Sequence, residues 1–203
     1  MVAAIDIVDI EDAMLARVNA VNDGRLGYRI ATLDTYGGEF DEDLPKVIRR
    51  FPGLWVVYAG SGKPEPINTA RTKWRMPATF AVLVGAQTLR GEGATRRGLE
   101  AGGEVRQVGT YRMLRDVRRL FVAQDLGLAM RPFAPGAVKT LFNTRLNSQG
   151  LSVFSQEWHT SFIIDQVPDP CDAGWFDEVG INLHLTPDDG EADSKGIVSL
   201  SPT

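Results

Sequence analysis

Leu54 to Gln87, LWVVYAGSGKPEPINTARTKWRMPATFAVLVGAQ, decides what kind of fold this chain adopts. It opens on one continuous apolar run, Leu54–Ala59, and closes on another, Pro77–Gln87. Short apolar runs rich in Val, Trp and Phe suit strands covered on both faces, so these two are expected at the centre of a sheet. Gly60–Met76 between them carries glycines, prolines and lysines with no periodicity. The simplest connection is an antiparallel hairpin with a long, exposed loop.

Toward the N-terminus, Ile7, Ile10, Met14, Leu15 and Val18 recur at three- and four-residue intervals, which makes Asp6–Ala20 an amphipathic helix. Asp9, Glu11 and Asp12 lie early in it, where they complement the helix dipole, and Asn22-Asp23-Gly24 signals its end. Tyr28–Leu33 alternates like a strand, Tyr36–Phe40 is a turn, and Glu42–Phe51 has the spacing of a short helix with Pro45 in its first turn.

Toward the C-terminus, an irregular stretch, Arg90–Gly103, leads into Gln107–Gly127, QVGTYRMLRDVRRLFVAQDLG. At roughly 100° per residue, Met113, Leu114, Val117, Leu120 and Phe121 share one arc of a helix, and Arg112, Arg115, Arg118 and Arg119 fill the neighbouring arc. After a segment broken by prolines, Val138–Leu146 and Leu151–Ile164 alternate like strands, with a weaker strand at Ile181–Leu185. Strands and helices come in runs rather than in βαβ alternation. The expected class is α+β, a mostly antiparallel β-sheet packed on one face by the N-terminal helix and the long central helix. Residues 1–187 are expected to form a single domain, followed by a poorly packed acidic tail over 188–203.

At 203 residues, 43 % hydrophobic and 24 % charged, the chain has the composition of an ordinary folded domain that needs neither disulfide nor metal. Its single cysteine, Cys171, has no internal partner, and the acidic N-terminus does not resemble a signal peptide, so a reducing cytoplasm is the expected compartment. The longest apolar run is well short of the roughly 20 residues that span a bilayer, and no membrane association is expected.

Motifs for chemistry are missing. His159, His184, Cys171 and the scattered carboxylates lack the paired spacing of a zinc site. Gly60-Ser-Gly62-Lys63 lacks the spacing of a phosphate cradle, and Pro64 and Pro66 forbid the helix that would follow it. There is no Gly-x-Ser-x-Gly elbow. The expectation is a protein that is not an enzyme and uses no cofactor.

Charge is the distinctive property. The net charge is −4, yet basic residues concentrate between Arg71 and Arg145, while Asp165–Asp193 holds nine carboxylates and no Lys or Arg. Patches of opposite sign suit self-association, and four arginines with no lysine on one helix suit bidentate pairing to carboxylate or phosphate. The expected partner or subunit interface comprises Arg112, Arg115, Arg118, Arg119, Lys63, Arg71, Lys73, Arg96 and Arg97. A nucleic-acid-binding module using the same arginines on phosphate is the alternative.

Several segments, in order, carry a resemblance: the acidic-initiated N-terminal helix, Thr35-Tyr-Gly-Gly-Glu-Phe-Asp41, Leu54–Gly60, and Gly109–Leu120 followed by Gln124–Leu128. Over about Ile5 to Asp165 the chain resembles the Mu-like prophage tail proteins encoded just before the contractile-tail sheath. That resemblance implies a tail terminator, a ring subunit, hexameric in the expected form, that caps tube and sheath at the end facing the head. Its implied partners are further copies of itself, the tail tube and sheath proteins and the head-tail connector proteins, with DNA only passing through the lumen. It implies no catalytic residues, a place in the virion, and assembly in the host cytoplasm. Another head-tail connector or neck role is the neighbouring possibility.

Overall fold

The computed structural model describes residues 5–36, 51–87, 92–101, 104–141, 151–166, 178–183 and 194–199. The chain divides into two compact units, Met1–Asp165 and Gln166–Thr203. In the first, helix α1 (Ile7–Asn19) precedes strands β1 (Thr32–Thr35), β2 (Gly53–Ser61), β3 (Glu65–Pro66) and β4 (Lys73–Gln87). Helix α2 (Glu92–Arg97), strands β5 (Leu99–Ala101) and β6 (Glu104–Gln107), helix α3 (Thr110–Phe121), and strands β7 (Ala134–Thr140) and β8 (Leu151–Asp165) follow.

The central hairpin forms as its apolar runs demand: β2 and β4 pair antiparallel, with Leu54 opposite Val84 and Val56 opposite Val82. The sheet order is β1-β2-β4-β8-β7, with β3 added to β4, and only β1 pairs in parallel. β4 and β8 are each 15 residues long and pair over their whole length, from Lys73 opposite Asp165 to Gln87 opposite Leu151. One side of these strands, Phe80, Val82, Val84, Phe154, Trp158 and Phe162, enters the main core. There it meets Ile10, Met14 and Val18 of α1 and Met113, Leu114, Val117 and Phe121 of α3. Trp55, Ala81 and Leu83 form a second cluster with Phe51 and Val57 on the other side. The fold is therefore α+β with a predominantly antiparallel sheet and helices on it, as the order of elements implies.

Several boundaries differ from the expectations, each for a local reason. The loop between the two central runs is shortened by sheet at both ends and by β3, because Asn68 closes a tight turn: its Oδ1 accepts from the Thr72 and Lys73 amides at 3.0 and 3.1 Å, and β4 starts there. Tyr28–Ala31 lies outside the first strand. The Asn22 side chain donates to the Ile30 carbonyl at 3.1 Å and accepts from its amide at 2.7 Å, taking the groups a strand partner would use. The stretch read as irregular before the arginine helix, Arg90–Gly103, contains α2 and β5, and β5 pairs with β6 just after it. The arginine helix is shorter than Gln107–Gly127, because Val122 turns to ψ 126° and Ala123 to φ 56°. The strand read as Val138–Leu146 begins earlier, at Ala134. It tolerates Pro135 because β7 is an edge strand. Of the expected short helix at Glu42–Phe51, all but Phe51 lies outside the described residues, and Phe51 is not helical.

α1 is closed at its start by a capping box. Asp6 Oδ1 accepts from the Ile7 amide at 2.6 Å, and Asp9 Oδ2 accepts from the Asp6 amide at 2.8 Å. One turn on, Glu11 finishes the sheet. The last link from the β1 side is the Tyr36 amide to the Val56 carbonyl at 2.9 Å, and the next outward amide, that of Tyr58, donates to Glu11 Oε1 at 2.9 Å. Burial raises the Glu11 carboxyl above its ordinary 4.5; the Tyr58 hydrogen bond opposes that shift and the Asp12 charge adds to it. The proton is thus bound more tightly in the folded protein. The stability tied to it is complete below 4.5 and is lost as pH rises through the higher folded value. Glu11→Gln keeps the acceptor and has no proton to lose, so it is expected to remove this pH slope. Glu11→Ala is expected to cost about 1 kcal/mol. Urea unfolding at about pH 5 and pH 7 reads both effects.

The second unit contains one antiparallel hairpin, β9 (Glu178–Leu183) with β10 (Ser194–Ser199), in which Glu178 faces Ser199 and Leu183 faces Ser194. Ser194–Ser199 lies inside the stretch expected to be poorly packed, and there it is a paired strand. Cys171 and His184 fall outside the described residues.

Candidate functional site

α3 is set in place by a backbone contact at its start. Gly98 adopts φ +78° and leaves room for Gly109, the N-cap of α3. A Cβ on Gly98 would lie 2.6 Å from both the Gln107 carbonyl oxygen and the Gly109 nitrogen. At the other end, Arg17 of α1 reaches the Leu120 carbonyl with its Nε at 2.5 Å, satisfying one of the last helical acceptors with a cation.

The four arginines of α3 divide by what they touch. Arg112 turns inward: it donates to the Leu26 carbonyl at 3.2 Å and its guanidinium lies 6.0 Å from the centre of the Tyr28 ring. Arg118 reaches across the sheet, its Nε donating to Gln156 Oε1 at 3.0 Å. Gln156, fully buried in β8, donates in turn to the Gly136 carbonyl of β7 at 3.0 Å. Arg115 is 58 % exposed and, among the described residues, is held through Nε, 3.3 Å from Asp116 Oδ1. Arg119 is exposed and makes no hydrogen bond or ion pair with a described residue.

Asp116 organises this face. It lies at the seam between the apolar and arginine arcs, one turn from Arg112 and Arg119, and its side chain is only 8 % exposed. Its Oδ2 is buried without a hydrogen-bond partner among the described residues. Burial first, then the Asp116 carboxylate, pushes the Tyr28 hydroxyl well above its usual range against the pull of Arg112 and Arg115. Tyr28→Phe removes the hydroxyl on which the Asp116 charge acts and is expected to cost about 1 kcal/mol. In a thermal-unfolding double-mutant cycle with Asp116→Asn, the two losses are expected to be less than additive.

The residues of the expected interface lie in several places on the first unit. Lys73 pairs with Asp165 at 3.5 Å at the far end of β4, and the exposed Lys63 and Arg71 belong to the same tip. Arg118 meets Gln156, which is opposite Val82, so about nine strand residues, roughly 30 Å, separate it from Lys73. Arg96 and Arg97 end α2, next to the start of α3. Close to the helix, sequence reading missed Arg25, whose Nε lies 3.1 Å from Asp23 and which also donates to the Ala20 carbonyl. Arg25, Leu26, Arg112, Arg115, Asp116, Arg119 and Leu120 line an open groove of about 320 Å³.

Among the described residues, no group of three or more His, Cys, Asp or Glu side chains could hold a metal ion. No helix among them is long and apolar enough to cross a membrane. What the face offers is cation recognition of carboxylate or phosphate by guanidinium groups held from below by a buried acid.

No curated protein matches this sequence. A comparison with protein families matches residues 6–163 to the family described as "Bacteriophage Mu, Gp37". The matched span runs from the N-cap of α1 to within two residues of the end of the long strand β8 and takes in the whole arginine helix. The chain therefore belongs to the bacteriophage Mu Gp37 family.

Proposed function

We propose that this phage protein is a structural virion subunit that caps the head-proximal end of a contractile tail as an oligomeric ring. It ends tube and sheath growth and presents the surface to which the head-tail connector proteins join. The observation that carries the reading is the match of the whole helix-and-sheet unit to a Mu phage family. The exposed Arg115 and Arg119, which the packing of that unit does not use, support a role in contact with other proteins. A ring of six copies is the expected form, placed against the tube and sheath, with DNA only passing through its lumen. Assembly takes place in the host cytoplasm before the tail joins the head.

Deleting the gene from an inducible phage and imaging the particles tests this. Tails of irregular, excessive length without heads are expected, with normal length restored by the protein supplied in trans. Tails of normal length lacking only heads would instead place the protein at the neck, after termination. Normal phage would refute both roles.

A further inference from the structure

We infer that the groove between the Asp23–Tyr28 turn and α3 is a carboxylate-binding site, and that its occupant is the acid-rich C-terminal segment of a second copy of this chain. The inference rests on the reading of the protein as a ring subunit and names the contact that joins one subunit to the next.

The groove is built for an anion. Four guanidinium groups, those of Arg25, Arg112, Arg115 and Arg119, line it against one carboxylate, Asp116. That carboxylate is already engaged by Arg115 through Oδ1. Three of the four are held before any ligand arrives: Arg25 by Asp23, Arg112 by the Leu26 carbonyl, and Arg115 by Asp116. Holding Arg115 through Nε leaves its Nη groups to donate to a carboxylate, and prior ordering lowers the entropy lost on binding. Arg119 has no partner among the described residues. Leu26 and Leu120 complete the lining with apolar surface, which suits a peptide carrying acidic side chains better than a bare phosphate chain.

The chain itself carries the complement. Asp165–Asp193 holds carboxylates with no Lys or Arg among them, including the run Asp188-Asp189-Gly190-Glu191. The groove belongs to the first compact unit and all of this segment after Asp165 to the second. Each copy thus carries a cationic groove in one unit and an acidic segment in the other, the complementarity that a heterologous, head-to-tail contact closing into a ring needs. A net charge of −4 argues against nucleic acid as the occupant.

The test uses the full-length chain in four forms: parent, Arg115→Glu with Arg119→Glu, Asp188→Lys with Asp189→Lys, and all four changes together. Mass is followed by light scattering across concentration at low salt, with thermal unfolding to verify that each form is folded. The parent is expected to self-associate, each pair of reversals to weaken association by about tenfold or more, and the fourfold form to recover most of it. A parent that stays monomeric, reversals without effect on mass, or a fourfold form that does not recover would each overturn the inference. So would arginine reversals that change only the melting temperature of a monomer, which would place the contact within one chain. The same holds if they abolish binding to a short DNA duplex while mass is unchanged, which would assign the groove to phosphate. Self-association in solution reports on this groove alone, whereas tail length in the deletion reports on capping, so the two readings fail separately.

Discussion

Gly109→Ala is expected to lower the stability of the first unit by about 3 kcal/mol, a drop of roughly 6–12 °C in melting temperature for a chain of this size. The reason is steric. A Cβ at this position would overlap the Gly98 nitrogen and the Arg96 carbonyl oxygen and come within 2.5 Å of the Arg97 carbonyl carbon. All three are backbone atoms, so no side chain can swing aside. The contact between the end of α2 and the start of α3 must open, and Thr110, which is fully buried and 3.3 Å from the Ser152 hydroxyl, must move with it. Gly127→Ala is the control. Gly127 has φ +77° with nothing near its missing Cβ, so only the conformational cost, about 1 kcal/mol, is expected there. Thermal and urea unfolding of the two variants separate packing from backbone strain, and equal melting points would mean that the glycine contact does not hold α3.

The second large effect is expected at Trp158. This side chain is fully buried in β8. Its ring lies 5.6 Å from that of Phe121 in α3 and 6.3 Å from that of Phe133, which also packs edge-on to Phe80 of β4. Helix, sheet and the chain leaving α3 therefore share one aromatic cluster. Trp158→Ala empties its centre and is expected to cost about 3–5 kcal/mol. Trp158→Phe should be far milder: it keeps a ring and removes an indole N–H that is buried without a hydrogen-bond partner among the described residues. Denaturant unfolding ranks the two variants. If both lose the same amount, the cluster is not the hub of the core.

These two sites also show where sequence reading works and where it stops. Continuous apolar runs placed β2 and β4 at the centre of the sheet, and helical spacing picked out Met113, Leu114, Val117 and Phe121 as the buried side of α3. Both signals are local, and burial follows them. The arginine arc reads as uniform for the same reason. Helical angle says which side chains leave the core but not what they reach. Arg112 finds a carbonyl 86 residues away and Arg118 a glutamine 38 residues away, while Arg115 and Arg119 keep an open side. Asp116 carried a faint signal, a carboxylate at the seam of the two arcs, and Arg25 carried none, since only the turn after α1 brings it to the groove. The shifted strands have the same origin. The Asn22 side chain claims the backbone of Ile30, and Pro135 is tolerated on β7 because that strand lies at an edge.

The central claim, that this member of the Mu Gp37 family caps the tail at the head end, is a claim about position. It is tested most directly by gold-labelled antibody against the protein on purified particles and on headless tails, viewed by electron microscopy. The account predicts a single focus of label at the head-proximal end of the tube on headless tails, hidden or reduced once the head is joined. Label along the sheath, at the baseplate end, or absent from particles that assemble normally would contradict it.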